Sequence, residues 1–123
     1  MRSRRFATLA GIAVAGLIAA NASQARTIYD GAWVVQVTGR TQGCMGSARY
    51  VLQIANGRIT YSGGDAAVSG RVSPRGGVYV RIVASSGNGI GSGRLSRNYG
   101  SGTFRGYSSS GPCAGTWAGQ RVG

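Results

Sequence analysis

The last stretch of the chain, Cys113-Ala-Gly-Thr-Trp-Ala-Gly-Gln-Arg121, alternates like a short β-strand and opens with a cysteine whose only possible partner is Cys44. A bond between the two ties the end of the fold to its beginning, and few architectures satisfy that tie. It favours a closed or nearly closed antiparallel β-structure in which the first and last strands meet. Two cysteines in an exported chain read as a disulfide. Closing a loop of roughly 70 residues is worth about 4 kcal/mol in the chain-entropy picture. The other uses of cysteine lack their partners, because the sequence holds no histidine to complete a metal site and no base flanks either sulfur.

Export is read from the N-terminus. Arg2, Arg4 and Arg5 make a basic start, Phe6 to Ala20 is apolar or small throughout, and Ser23-Gln24-Ala25 supplies small residues for cleavage. The pattern predicts a secretory signal peptide over residues 1–25, cut after Ala25. Its apolar run carries Gly11 and Gly16 and is shorter than the roughly 20 residues a spanning helix needs. Ser3-Arg4-Arg5-Phe6 misses the twin-arginine spacing by one, so ordinary secretion is expected. Residues 26–123 are then a single small β domain, periplasmic or secreted, with no membrane span after cleavage.

Of the 23 glycines, only two lie in the leader. Glycine and serine at that density suggest disorder, but regular β-branched and aromatic alternations broken by turn signals point the other way. Ala32 to Thr38 puts Trp33, Val35 and Val37 on one face. Ala48 to Ala55 puts Tyr50, Leu52 and Ile54 opposite Arg49, Val51 and Gln53. Asn56-Gly57 is the strongest hairpin signal, since a type I′ turn needs two positive φ angles. Arg58 to Ser62 returns from it. That turn sets Ala55 against Arg58, Ile54 against Ile59 and Leu52 against Tyr61, so apolar meets apolar without adjustment. Ala67 to Val72, Gly77 to Ala84, Gly89 to Ser96, Ser101 to Tyr107 and the strand through Trp117 follow, each separated by Gly, Pro, Asn or Ser. The expected fold is all-β, about eight short antiparallel strands in an up-and-down barrel or strongly curved meander. Gly70, Gly93, Gly102, Gly106, Gly115 and Gly119 take inward parity among Trp33, Phe104 and Trp117. Glycines beside rings lead to the expectation of a packed core rather than a ligand cavity, with both tryptophans as anchors.

Catalysis finds little support. Histidine and glutamate are absent, every one of the 14 basic residues is arginine, and the carboxylates are Asp30 and Asp65, each in a glycine-bounded turn. The serines have no imidazole or amine to activate them. Gly87-Asn-Gly-Ile-Gly-Ser-Gly93 imitates a phosphate loop, but no helix follows it. No catalytic, cofactor-binding or metal-ligating residue is expected.

What remains is charge. Beyond the leader, eleven arginines face two aspartates, leaving +9, a field that attracts polyanions. Arg49, Arg58, Arg71, Arg81, Arg94 and Arg105 all take outward parity, one on each of six strands. They form a candidate anion-binding face, with Tyr79 among them for stacking. The plain alternative is a solvated outer face that discourages edge aggregation.

The run Tyr29-Asp-Gly-Ala-Trp33, Cys44, Ile54-Ala-Asn-Gly-Arg-Ile-Thr-Tyr61, Ser69-Gly-Arg-Val, Gly93-Arg-Leu-Ser, Gly100-Ser-Gly-Thr-Phe-Arg-Gly106 and Cys113-Ala-Gly-Thr-Trp117 resembles a group of small exported bacterial all-β proteins of unestablished function. Some of these carry the loose label heme utilisation. The resemblance implies the scaffold and the export route. The leading expectation is an exported non-catalytic basic module whose arginine face engages an anionic polymer (polysaccharide, lipopolysaccharide or nucleic acid) or the cell envelope. The alternative is a structural or inhibitory protein acting through a protein–protein surface. A heme or small-ligand binder is the outsider.

Overall fold

A computed structural model describes residues 26–63 and 66–123; the expected signal peptide and Gly64-Asp65 lie outside the described residues. Eight strands follow in order: β1 (Gly31–Gly39), β2 (Gly46–Ala55), β3 (Arg58–Gly63), β4 (Ala66–Val72), β5 (Gly77–Ala84), β6 (Gly87–Leu95), β7 (Tyr99–Ser108) and β8 (Gly111–Arg121). Each pairs antiparallel with the next, and β8 returns to β1, so the sheet closes into an up-and-down barrel. Closure removes most of the exposed edge that an open meander would leave.

The first and last strands do meet. Trp117 on β8 stands opposite Val37 on β1, and Cys44 and Cys113 form a disulfide with a Cα–Cα separation of 5.3 Å. At the β2–β3 hairpin, Asn56 and Gly57 take positive φ angles of 56° and 77°. The turn sets Ala55 against Arg58 and Ile54 against Ile59, as the sequence predicts. The expected pairing of Leu52 with Tyr61 is not in this ladder, which carries three pairs and stops at Gln53 and Thr60. Beyond that point the rings of Tyr50 and Tyr61 meet edge to face, with centroids 5.6 Å apart. Past the Gln53–Thr60 pair the ladder ends, and the contact between these two inward rings links the strands there.

Glycine allows the aromatics to lie flat against the wall. Gly93 and Gly102 face each other across β6 and β7. A methyl group at Gly102 would stand 2.6 Å from Trp117 Nε1, and one at Gly93 the same distance from Cζ2 of that ring. The indole therefore rests on bare backbone, and its N–H donates to the Ser92 carbonyl at 3.0 Å.

The two ends of the barrel differ. At one end Tyr29, Trp33, Ile54, Ile59, Val72 and Leu95 pack into a buried cluster. Trp33 is 2% exposed, and its indole N–H donates to the Tyr29 carbonyl at 2.8 Å. The strap before β1 lies over this cluster. The Arg121 guanidinium donates to the Ile28 carbonyl at 2.7 Å and also to that of Asp30. The Asp30 carboxylate accepts from the Thr27 hydroxyl at 2.6 Å, from Asn56 N–H at 2.8 Å and from Gly57 N–H at 3.2 Å. Strap, hairpin turn and C-terminal strand are thus locked together, and this end is closed.

Candidate functional site

The other end is open. There the loop between β1 and β2, the short connections after β5 and β7, and the disulfide surround a cavity of about 560 Å³. The expectation of a fully packed core is wrong for this half of the molecule. The reason lies in how the glycines are distributed. Four of the five inward positions of β6 are glycine (Gly87, Gly89, Gly91 and Gly93, before Leu95), while β7 and β8 offer Gly102, Gly106, Gly115 and Gly119. Glycine makes room for rings, but only Phe104 and Trp117 come from this wall to use it. The flanking strands are aliphatic, with Val35 and Val37 on β1 beside β8, Val80 and Ile82 on β5 beside β6, and Val68 on β4. Tyr50, Leu52, Ile59 and Tyr61 face the glycine wall from β2 and β3. Side chains reaching from one wall do not fill the depth left by the other, and space remains.

The cavity has a floor, two unlike walls and a rim. Its floor is the buried cluster at Trp33, Ile54 and Ile59. On the glycine wall Phe104 lies over Gly115, where a methyl group would meet the ring at 2.8 Å, so this wall presents flat aromatic surface. Met45, Tyr50, Tyr61, Tyr107 and the disulfide form the rim. Met45 is 71% exposed and Tyr107 is 67% exposed. Arg105 also borders the cavity, but its position on β7 has outward parity and is exposed. Tyr50, Tyr61, Ser86 and Ser108 contribute hydroxyl-bearing side chains to the lining. Apolar side chains point inward, while Gln36, Arg49, Arg71, Arg81 and Thr103 stand outside, the reverse of a barrel whose outer face meets lipid.

Where the β2–β3 ladder stops, the barrel wall is held by the Tyr50–Tyr61 contact instead of backbone hydrogen bonds. Tyr50 has inward parity yet is 37% exposed, so this seam adjoins the mouth. The sequence contained the two tyrosines and their parity. It held no signal that the ladder ends early, because a strand pattern does not report how far a pairing runs.

The six outward arginines are all exposed, but they do not form one continuous band. Arg58 faces Arg71 across β3 and β4, and Arg71 faces Tyr79 across β4 and β5. Arg81 and Arg105 both stand opposite Ile90, one on each side of it. The Arg94 guanidinium donates to the Arg75 carbonyl at 3.0 Å. Arg49 faces Gln36 on β1, beyond the point where β2 leaves β3.

Sorted by position along the barrel, the eleven arginines are uneven. Arg26, Arg58, Arg71, Arg75, Arg94, Arg97 and Arg121 belong to the strap, turns and strand ends at the closed end. Arg40, Arg49, Arg81 and Arg105 lie in the middle or toward the mouth.

No protein-family model, curated protein or solved structure matches the chain, so the resemblance to exported bacterial proteins rests on its own residues alone.

Proposed function

We propose that the protein is an exported, non-catalytic binding module that carries one small apolar ligand inside its barrel. The observation behind this is the cavity of about 560 Å³, apolar in its walls and open at one end. Small-molecule sites commonly measure about 300–1,000 Å³ and are lined by apolar and aromatic side chains with a few polar groups for orientation. An eight-stranded barrel is wide enough to hold one such ligand. The ligand's body is uncharged, because a buried charge with no opposite partner in the wall is heavily penalised. A flat or extended apolar body suits the surface made by Trp117 and Phe104, and a polar end suits the hydroxyls of the lining. Binding rather than catalysis fits a sequence without histidine, glutamate or lysine. The disulfide at the rim suits an oxidising compartment.

Titration with N-phenyl-1-naphthylamine, a dye that brightens in apolar surroundings, tests this. Saturation at one dye per chain is expected, with tryptophan emission quenched in step. Ile82→Trp places a large ring in the cavity and should weaken binding at least about tenfold while the barrel stays folded, since the added volume enters open space. Dye uptake that never saturates, or that Ile82→Trp leaves unchanged, refutes the assignment.

A further inference from the structure

The closed end carries no part of the cavity mouth, yet it concentrates charge. Seven arginines lie there, drawn from the strap (Arg26), β3 (Arg58), β4 (Arg71), β6 (Arg94), β8 (Arg121) and two turns (Arg75, Arg97). Among the described side chains one carboxylate accompanies them, that of Asp30, and its oxygens already accept hydrogen bonds from Thr27, Asn56 and Gly57. The same end exposes apolar tips. Ile28 is 49% exposed, Val122 57% and Tyr99 62%. Their backbones adjoin one sector of the closed end, with Tyr99 paired to Gln120. Arg121 fixes Ile28, the Arg121 N–H donates to the Asn98 carbonyl, and the Val122 N–H donates to the Ala32 carbonyl.

We propose that the closed end is a docking surface for an anionic lipid bilayer. The charges are distributed around the perimeter of a barrel end rather than along a track. A planar array of headgroups can meet such a ring at many points, whereas a linear polymer can follow only part of it. The exposed tips add what a polymer site does not need. Aliphatic and tyrosine side chains beside basic residues settle into the headgroup boundary, and each arginine near an anionic membrane contributes a further increment of binding. Docked this way, the barrel holds its mouth toward the aqueous side. The surface is independent of what the cavity contains.

Co-sedimentation with vesicles of phosphatidylcholine alone, and with one third phosphatidylglycerol, provides the test. The protein should bind the anionic vesicles, release them at high salt, and ignore the neutral ones. Replacing Arg58, Arg71 and Arg97 together by glutamine should weaken binding about 100-fold, at about fivefold per arginine. Replacing Arg40, Arg49 and Arg105 in the same way removes equal charge from the rest of the barrel and should have a much smaller effect. Equal losses in the two triple variants, or a larger loss in the second, would overturn the proposal. So would tighter binding to single-stranded DNA or an acidic polysaccharide than to anionic vesicles at the same salt.

Discussion

Asp30 is the residue on which the closed end converges. Its burial favours the neutral acid, but this is outweighed by hydrogen bonds from the Thr27 side chain, from the Asn56 and Gly57 N–H groups and from the Thr27 backbone. They hold the carboxyl below its ordinary value near 3.8. A carboxyl lowered by folding contributes stability that is complete above its unfolded value and is lost as pH falls through the folded one. Asp30→Ala should therefore cost about 1 kcal/mol at neutral pH, a small figure because the half-buried site is still screened by water. The gap between wild type and variant in urea unfolding should hold steady down to about pH 5 and shrink below about pH 4. A gap that widens in acid would contradict this. In the sequence Asp30 reads only as a turn residue beside Gly31, because its partners at Asn56 and Gly57 lie 26 and 27 positions away.

At the scale of elements, the barrel is continuous in its ladders except at one seam and is stapled at one point. The disulfide joins the loop after β1 to the start of β8, at the same end where β2 parts from β3. Thr41 reinforces the staple, since its hydroxyl donates to the Pro112 carbonyl at 2.9 Å and accepts from Ala114 N–H at 3.1 Å. A domain of this size has a modest core, so a covalent tie weighs heavily. Replacing Cys44 and Cys113 together by serine should lower stability by about 4 kcal/mol and the thermal midpoint by about 15–30 °C, measured by circular dichroism. A loss below about 1 kcal/mol would mean that the pairing of β1 with β8 closes the barrel unaided.

Across the whole molecule, the two ends differ in construction. One is packed, strapped and basic, and the other is open and apolar. A ligand that binds only the closed barrel raises its stability by mass action, about 2.7 kcal/mol at a hundredfold excess over Kd. The dye should accordingly raise the thermal midpoint by roughly 10–20 °C in the wild type and by about half of that or less in Ile82→Trp. A shift of equal size in both would place the binding outside the barrel.

Alternation with a period of two, the Asn56-Gly57 turn and the cysteine pair determined the strands, the inward and outward faces and the meeting of β1 with β8. Each of these follows from local backbone chemistry or from a covalent bond, so each is written in the order of residues. The cavity, the early end of the β2–β3 ladder and the gathering of arginines at one end belong to the tertiary structure. Whether a space is filled depends on the summed reach of side chains from walls far apart in sequence. Parity tells which way Gly91 or Val80 points, and only closure of the barrel sets the distance between them and their opposite wall. The same holds for Arg58, Arg75 and Arg97, which share an end because alternate turns of an up-and-down barrel all fall on one side.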